Sequence, residues 1–361
     1  PRRVLPSEEQ READRVFCRF LWQFGLVYAA LAFMVMRTVR LVSLSGQRWF
    51  LIGAVAVEII GAALMVIPVE RTLHALFGED SIVTEQAPAK INLALLVGEK
   101  HPDGYHDVTS VMQSVSLCDT VTARRTSGGI TLTCSDPTLA CDETNLAYRA
   151  AALFFEETGV EGGAALTLEK VIPMQAGLGG GSGDAAAVLR ALRRLYAPDM
   201  PLEELERMAI RLGSDVPYCV RGATTLVEGR GEHLTQLTAL PACWCVLCKP
   251  DIACPTGAMY GEIDRRGAHL TLDVQEMVRA LERGDLAAVC ALVGNVFEQV
   301  IDPESDIFTI RRRLTELGAD AACMSGSGSA VFGLFTKEET ARAAQELLSQ
   351  DYPRTFLTKT V

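Results

Sequence analysis

The sequence predicts an α+β fold of two domains behind a two-helix apolar segment, and three observations predict it. The length of 361 residues, at roughly 150 residues per domain, gives about two domains with ample chain for a core. From residue 83 onward, short alternating stretches give way to stretches with helical spacing and back again, with glycine-rich loops between them. The mean hydropathy of +0.19 is high for a soluble chain, and the excess lies in the first 80 residues. The same composition, 49% hydrophobic and 22% charged, excludes disorder, collagen and a disulfide-stapled miniprotein. A net charge of −11 without any Lys/Arg run argues against nucleic acid, because phosphate-backbone binding needs a cationic footprint.

Two apolar runs open the chain, Leu21 to Met36 and Trp49 to Val69. A membrane span needs about 20 mostly apolar residues. The first run falls short of that, and the second holds Glu58 near its centre and Pro68 near its end; a carboxylate inside a bilayer is costly. Five Arg precede the first run and only Arg71 closely follows the second, while Arg37, Arg40 and Arg48 lie between them. The Arg count narrowly favours a hairpin with both ends cytosolic. Membrane association through residues 20–69, with a cytoplasmic catalytic part, is one reading. A helical hairpin packed on the protein itself, or a segment foreign to the rest, is the other. No short apolar core ends in a small-residue cleavage site, so no signal peptide is expected. Residues 1–80 carry nine Arg against eight acids, so the 25 basic and 37 acidic residues that follow make the remainder strongly acidic.

Ile82 to Ala87 and Ile91 to Val97 read as strand segments, and Ser110 to Ala123 and Ile130 to Cys134 continue the pattern. Asn145 to Thr158 is helical, with Leu146, Ala150, Leu153 and Phe154 on one face. Ala164 to Val171 alternates as a strand. Pro173-Met174-Gln175-Ala176 then leads into Gly177-Leu178-Gly179-Gly180-Gly181-Ser182-Gly183-Asp184, and Ala185 to Tyr196 reads as a helix.

Five glycines in seven residues cost backbone entropy on ordering, so something must compensate. Glycines let successive N–H groups point into one concavity, and the following helix N-terminus adds about half a positive charge, which together make an anion cradle for a phosphate. Ser182 offers a hydroxyl to a phosphate or to its metal, and Asp184 reads equally well as a first-turn carboxylate facing the helix dipole. No Gly-Lys-Ser/Thr follows, so this is not a Walker loop, and Ser182 stands where a dinucleotide-binding fingerprint needs its third glycine. A flexible linker is the plain alternative, but linkers seldom separate a clean strand from a clean helix. A second loop, Met324-Ser325-Gly326-Ser327-Gly328-Ser329, precedes the apolar strand Ala330 to Phe335. It reads either as a second wall of the same ligand site or as a tight turn into a core strand.

Lys90, between Ala89 and Ile91, and Asp215, in Gly213-Ser214-Asp215-Val216-Pro217 just past the helix Leu202 to Leu212, are charged residues in apolar settings. Such residues are seldom buried unless paired. Together they make the carboxylate and ammonium that a phosphoryl transfer to an alcohol needs; a turn-capping Asp and a snorkelling Lys are the alternatives. The 11 Cys read as small apolar residues. Cys243, Cys245, Cys248 and Cys254 resemble zinc spacing only superficially, because Ala242 to Leu247 reads as a strand on which Cys243 and Cys245 share a face that Cys248 does not.

The segments Ala87-Pro88-Ala89-Lys90-Ile91-Asn92-Leu93, Pro173 to Ala186 and Met324 to Gly333 resemble the three motifs of the GHMP kinases, which include galactokinase, homoserine kinase and the mevalonate kinases. The run His101-Pro102-Asp103-Gly104-Tyr105-His106, with Gly213 to Pro217, is similar to the branch whose acceptor is a cytidyl-diphospho-methylerythritol. The resemblance covers about residues 83 to 358. It implies a two-domain fold with the active site in the cleft between an ATP-binding domain, residues 83–240, and a second domain, residues 241–361. It implies ATP with Mg2+, and transfer of the γ-phosphate to the 2-hydroxyl of the methylerythritol unit in non-mevalonate isoprenoid precursor biosynthesis. Asp215 matches the catalytic base and Lys90 the residue that orients it. Asn145 matches an adenine-side position, and Pro173, Met174, Gln175, Ala176, Gly177, Leu178, Gly179, Gly180, Gly181, Ser182 and Gly183 match the phosphate loop, with Ser182 toward Mg2+. Asn92, Thr256, Gly326, Ser327 and Gly328 match acceptor contacts. Tyr105, His106 and Tyr260 match the cytosine site, where the two tyrosines would sandwich the base.

Two departures from the family pattern stand out. The usual second serine of the glycine loop is Gly183, which implies weaker phosphate contact with activity kept. Residues 1–80 have no counterpart. The other readings are a mevalonate- or homoserine-type kinase, which would lack the tyrosine pair and the His101 to His106 run, a nucleotide-binding sensor tethered by the apolar hairpin, which would not need both Lys90 and Asp215, and a membrane transport or interaction protein, which would leave the glycine loops unexplained.

Overall fold

The computed structural model describes residues 82–361. The two apolar helices expected in the preface, and the membrane hairpin they would form, lie outside the described residues. Among the described residues, no helix is long and apolar enough to cross a membrane. In chain order the elements are β1 (Ile82–Lys100), β2 (His106–Thr126), β3 (Gly129–Cys134), α1 (Leu146–Thr158), β4 (Gly163–Glu169), α2 (Gly180–Tyr196), α3 (Leu202–Ala209), α4 (Val216–Arg221), β5 (Thr224–Gly229), β6 (His233–Gln236), β7 (Trp244–Cys248), α5 (Thr256–Arg266), α6 (Val274–Glu282), α7 (Leu286–Ala291), β8 (Gly294–Asn295), α8 (Asp306–Glu316), β9 (Ala321–Met324), β10 (Val331–Phe335), α9 (Glu338–Ser349) and β11 (Thr355–Lys359).

They form two sheets. The first runs β3-β4-β2-β1-β8, with β5 and β6 continuing from β2; the second runs β11-β7-β10-β9 and is antiparallel throughout. Apolar side chains of α1 and α2, with Phe154, Leu189 and Leu192 fully buried, cover one face of the first sheet. Ile91 and Leu93 of β1 share a second core with Cys245, Leu247, Phe332 and Leu334, which joins the two sheets. The period-2 alternation of β7 sends Val246 and Cys248 the other way, against Ile310, Leu314 and Ala344 of α8 and α9.

The two strand segments expected at the start are one strand with a break at Pro88. A proline has no N–H to give the ladder. Pro88 pairs with Cys118, but Lys90 pairs with Ser114, so β2 carries a bulge over residues 115–117. Thr358 and Thr360 bind that bulge: Leu117 N–H donates to Thr358 Oγ1 at 2.9 Å, and Val115 pairs with Thr360. Beyond the break, Lys90 and Asn92 sit two residues apart on one face and are both buried.

The helix expected from Ala185 begins five residues earlier, at Gly180, after an N-cap at Gly179 in the left-handed region, φ 71°. Half of the glycine loop is thus the first turn of a helix. This residue composition hides the helix in the sequence, because glycine is a poor helix former wherever nothing else holds it.

A buried charge cluster holds the approach to that loop. Asp119, fully buried on β2, accepts from the N–H groups of Val171 and Ile172 and pairs with Lys170. Lys170 also reaches Asp184 of α2 at 2.6 Å. Asp184 is therefore an ion-pair partner under the loop, not a carboxylate held at the helix dipole. Burial first, and then the Asp119 carboxylate against the pull of Lys170, pushes the Asp184 carboxyl up to about 7. Lys170 itself is pushed up by the carboxylates on either side of it, against its burial. Two carboxylates facing one ammonium leave the cluster with one surplus negative charge, which together with burial keeps the Asp184 carboxyl raised.

Two outcomes follow. Asp119→Ala strands the N–H groups of Val171 and Ile172 and loosens Lys170, and is expected to cost roughly 3–5 kcal/mol in denaturant unfolding. A carboxyl with a raised folded-state pKa contributes stability that is complete below its ordinary value of 3.8 and lost as pH rises to about 7. Asp184→Asn should remove that slope, so a plot of Tm against pH for the variant, measured beside the parent, is flatter between those two limits.

Candidate active site

Three chain segments converge on Asn92. Its Oδ1 accepts from Lys90 Nζ at 2.8 Å and from the Gly326 N–H at 2.9 Å, and its Nδ2 donates to Ser110 Oγ at 2.8 Å. Ser110 passes its own proton to the carbonyl of Ala94 at 2.7 Å. The amide thus ties the second glycine-serine loop to β1 and β2 and fixes the head of Lys90. The Lys90 ammonium lies 3.5 Å from Asp215 Oδ2, so the two charged residues singled out in the sequence do meet. Lys90 is 3% exposed, whereas the Asp215 side chain keeps 36% of its surface open. Asp215 stands at the N-cap of α4, but its side chain makes no capping bond. It is free for the cavity.

The two glycine loops touch backbone to backbone. Gly177 is in the left-handed region, φ 73°, and a Cβ there would lie 2.1 Å from the Ser325 carbonyl oxygen. Across the same contact, a Cβ on Gly326 would lie 2.9 Å from the Gly177 oxygen. Ser325 Oγ donates to the Gly177 carbonyl at 2.9 Å, and Ala330 N–H to the Ala176 carbonyl at 3.0 Å. The second loop is accordingly packed against the first, and its Ser327 meets Thr256 hydroxyl to hydroxyl at 3.0 Å.

Two cavities open on either side of this contact. One, of about 500 Å³, is lined by Asn145, by Pro173 to Ser182, and by Lys170 and Asp184. Gly180, Gly181 and Ser182, at the start of α2, line it, and no acidic residue occupies the helix's first turn. Asn145 is the N-cap of α1, its Oδ1 accepting from Ala147 N–H at 2.9 Å. The other cavity, of about 600 Å³, is walled by Lys90, Asn92, Asp215, Thr256, Tyr260, Gly326 and Ser327, with Tyr105 and His106 at one end. Ser182 lines both cavities.

Two residues expected in the site line neither cavity. Gly328 backs onto Met324 and Cys254, and a Cβ on Gly183 would point at the Pro88 oxygen, 3.4 Å away, and the Ala87 methyl. Position 183 therefore faces β1, where a Cβ would make ordinary van der Waals contact, and not the cavity. Tyr260 stacks on His106, with ring centroids 5.3 Å apart, and meets Phe297 edge-on. Burial, with Asp215 nearby, pushes its phenol up to about 12. His106 Nε2 is engaged by Asp264 Oδ1 at 2.7 Å, and Lys100 takes the other oxygen of the same carboxylate at 2.7 Å. Asp264 and Lys100 carried no signal in the sequence: one lies on a polar helix face and the other at a strand end. Tyr105 is 61% exposed at the hairpin tip.

Cys243, Cys245 and Cys248 are buried among apolar side chains. Burial pushes the Cys243 and Cys248 thiols up to about 11 and Cys245 higher still. Among the described residues, no three His, Cys, Asp or Glu side chains group as metal ligands.

Comparison with known proteins gives the same outline. The model of the GHMP kinases N terminal domain matches residues 145–223, and that of the GHMP kinases C terminal domain matches residues 277–354. The 4-diphosphocytidyl-2-C-methyl-D-erythritol kinase of Exiguobacterium sibiricum is 43% identical over 259 residues, 71% of this chain and 90% of that protein. Its counterpart from Geobacillus kaustophilus is 44% identical over 253 residues, 69% of this chain and 87% of that protein. A crystal structure of 4-(cytidine 5'-diphospho)-2C-methyl-D-erythritol kinase superposes with a TM-score of 0.66 at 36% identity, covering 77% of this chain and 99% of the other. Homoserine kinase from Cytophaga hutchinsonii shares the fold, with a TM-score of 0.62 at 18% identity over 78% of this chain and 95% of its own.

Gly177→Ala tests the contact between the loops. No side-chain rearrangement relieves a Cβ 2.1 Å from a main-chain oxygen. The loops must part by about an ångström, and a misplacement of that size costs roughly 100-fold in kcat. Steady-state kinetics on the purified variant, with its Tm recorded alongside, gives the answer.

Proposed function

The chain belongs to the 4-diphosphocytidyl-2-C-methyl-D-erythritol kinases, a branch of the GHMP kinases, and from that membership we propose how its two cavities divide the work. The reaction is ATP-dependent phosphorylation of 4-diphosphocytidyl-2-C-methyl-D-erythritol, in isoprenoid precursor biosynthesis. The acceptor is its 2-hydroxyl. The cavity under the glycine loop takes ATP, with the adenine toward Asn145 and the phosphates over Gly177 to Ser182. The cavity beside Asp215 takes the cytidyl substrate. Ser182, common to both, lies where the γ-phosphate passes from one to the other.

The observation that carries this reading is the pairing of Asp215 with Lys90 on the wall of the second cavity. As the acceptor oxygen attacks the γ-phosphorus, Asp215 takes the hydroxyl proton, the bond from phosphorus to the β,γ-bridging oxygen breaks, and ADP leaves with that electron pair. Lys90, fixed by Asn92, orients the carboxylate and offsets charge on the transferring group. The N–H groups at the start of α2 stabilise the phosphate oxygens. Catalysis is chiefly positioning and electrostatics, because phosphoryl transfer leaves the protein little covalent work.

Mg2+ fits the oxygen donors on the nucleotide side. Ser182 carries a hydroxyl there, and Asp184 Oδ1 is buried without a hydrogen-bond partner. With so few protein oxygens, the ion would take most of its ligands from phosphate and water, as Mg2+ commonly does. Bound there, it would neutralise charge on the β- and γ-phosphates. Tyr105 and His106 form the cytosine end of the acceptor cavity, with Tyr260 packed behind the imidazole. Thr256 and Ser327 face the methylerythritol diphosphate.

Asp215→Asn is expected to lower kcat by roughly 10²- to 10⁴-fold with ATP affinity retained. A coupled assay measures turnover, and ATP titration of the same variant measures binding; near-normal turnover would remove Asp215 from the mechanism. Offered the cytidyl substrate, mevalonate and homoserine in turn, the parent protein should phosphorylate only the first.

A further inference from the structure

Arg230 is absent from the functional assignments above, yet it lies on the wall of the acceptor cavity. It sits at the turn between β5 and β6, flanked by Gly229, φ 68°, and Gly231, φ 109°. That turn is pressed against the catalytic loop, because a Cβ on Gly231 would lie 2.1 Å from the carbonyl oxygen of Ser214, the residue before Asp215. The arginine reaches across to the β1–β2 hairpin tip. Its guanidinium carbon stands 4.9 Å from the centre of the Tyr105 ring, and its Nη2 pairs with Asp103. Asp103 also accepts from the Tyr105 N–H at 3.2 Å, so one carboxylate binds both the cation and the backbone of the residue that the cation covers. The hairpin tip has bonds of its own, His101 N–H to the Tyr105 carbonyl at 2.7 Å and Gly104 N–H to the His101 carbonyl at 2.9 Å, but these hold main chain and leave the ring free.

We propose that Arg230 is a positioning residue that clamps one face of Tyr105, so that the opposite face stands ready as the platform for the pyrimidine of the substrate. The inference rests on the reading of Tyr105 as the base-stacking residue. A ring 61% exposed loses rotamer freedom on binding unless it is already held, and the guanidinium over its face supplies that hold. The planar fork of arginine does this while also meeting Asp103, which a lysine ammonium does less well. Neither hairpin turn lines the nucleotide cavity, so the clamp acts on binding of the cytidyl substrate alone.

The test is a kinetic cycle on the full chain with Arg230→Ala, Tyr105→Leu and the double variant, using the cytidyl substrate. Arg230→Ala is expected to raise KM for that substrate roughly three- to tenfold, leaving kcat and KM for ATP unchanged. Tyr105→Leu should raise the same KM about tenfold, and the double variant no further than Tyr105→Leu alone. Asp103→Ala should shift KM in the same direction as Arg230→Ala, and Arg230→Lys should recover part of the loss. If Tyr105→Leu leaves KM unmoved, the base-platform reading fails and the clamp fails with it. If Tyr105→Leu raises KM while Arg230→Ala does not, only the clamp is overturned. Effects that multiply in the double variant overturn it too, because they would mean that Arg230 touches the substrate independently. A fall in kcat or a rise in KM for ATP on Arg230→Ala would mark a general structural role instead.

Discussion

One carboxamide, that of Asn92, gathers the active site. It accepts from the ammonium that pairs with the Asp215 carboxylate and from the main chain of the serine-rich loop, and it donates into the neighbouring strand. A buried amide so nearly saturated has little freedom to rotate, since any turn leaves buried donors and acceptors unmatched. Lys90 inherits that rigidity, and through Lys90 so does Asp215. The break in β1 at Pro88 serves the same end. By ending one stretch of ladder and starting another, it lets β2 bulge out to be bound by the C-terminal threonines, while Lys90 and Asn92 turn together toward the loops.

The glycine loop depends on a different device. A turn made largely of glycine has few side chains to hold its shape, so its support comes from beneath. Asp119, Lys170 and Asp184 pin the strand exit to the helix that follows, and each makes a contact that reaches across more than ten residues of sequence. Burying this charge is costly by itself. Its effect is geometric: the chain enters and leaves the glycine turn at fixed points, which leaves the turn little room to collapse.

Much of this was legible in the sequence, and the limits of that legibility are physical. The alternation of Ala164 to Val171, the helical spacing of Leu146 to Phe154 and the glycine loops report local preferences, which is why those elements stood out. Lys90 and Asp215 stood out because charge in apolar surroundings is conspicuous. Position 180 read as loop because glycine propensity favours loops, while the tertiary support that makes it helical comes from residues far away. Asp184 read as a dipole partner because its true partner, Lys170, looked like an ordinary polar strand end. Tyr105, His106 and Tyr260 were all visible, but the stacking of Tyr260 on His106 was not, because it depends on how α5 lies across the hairpin. Arg230, Lys100 and Asp264 had no signal at all. Each is a charged residue at an exposed turn, strand end or helix face, a setting in which most such residues do nothing specific.

The contact between Gly177 and Gly326 also bears on how such a protein can change over generations. Where two side chains meet, a larger residue on one side is often balanced by a smaller one opposite, and sequences drift through such exchanges. Here the opposing atoms are main-chain oxygens. Neither partner can shrink, so no exchange across the interface makes room for a methyl group. Divergence at this junction has to proceed by moving a whole loop, through insertion or deletion, and point substitution is closed to it.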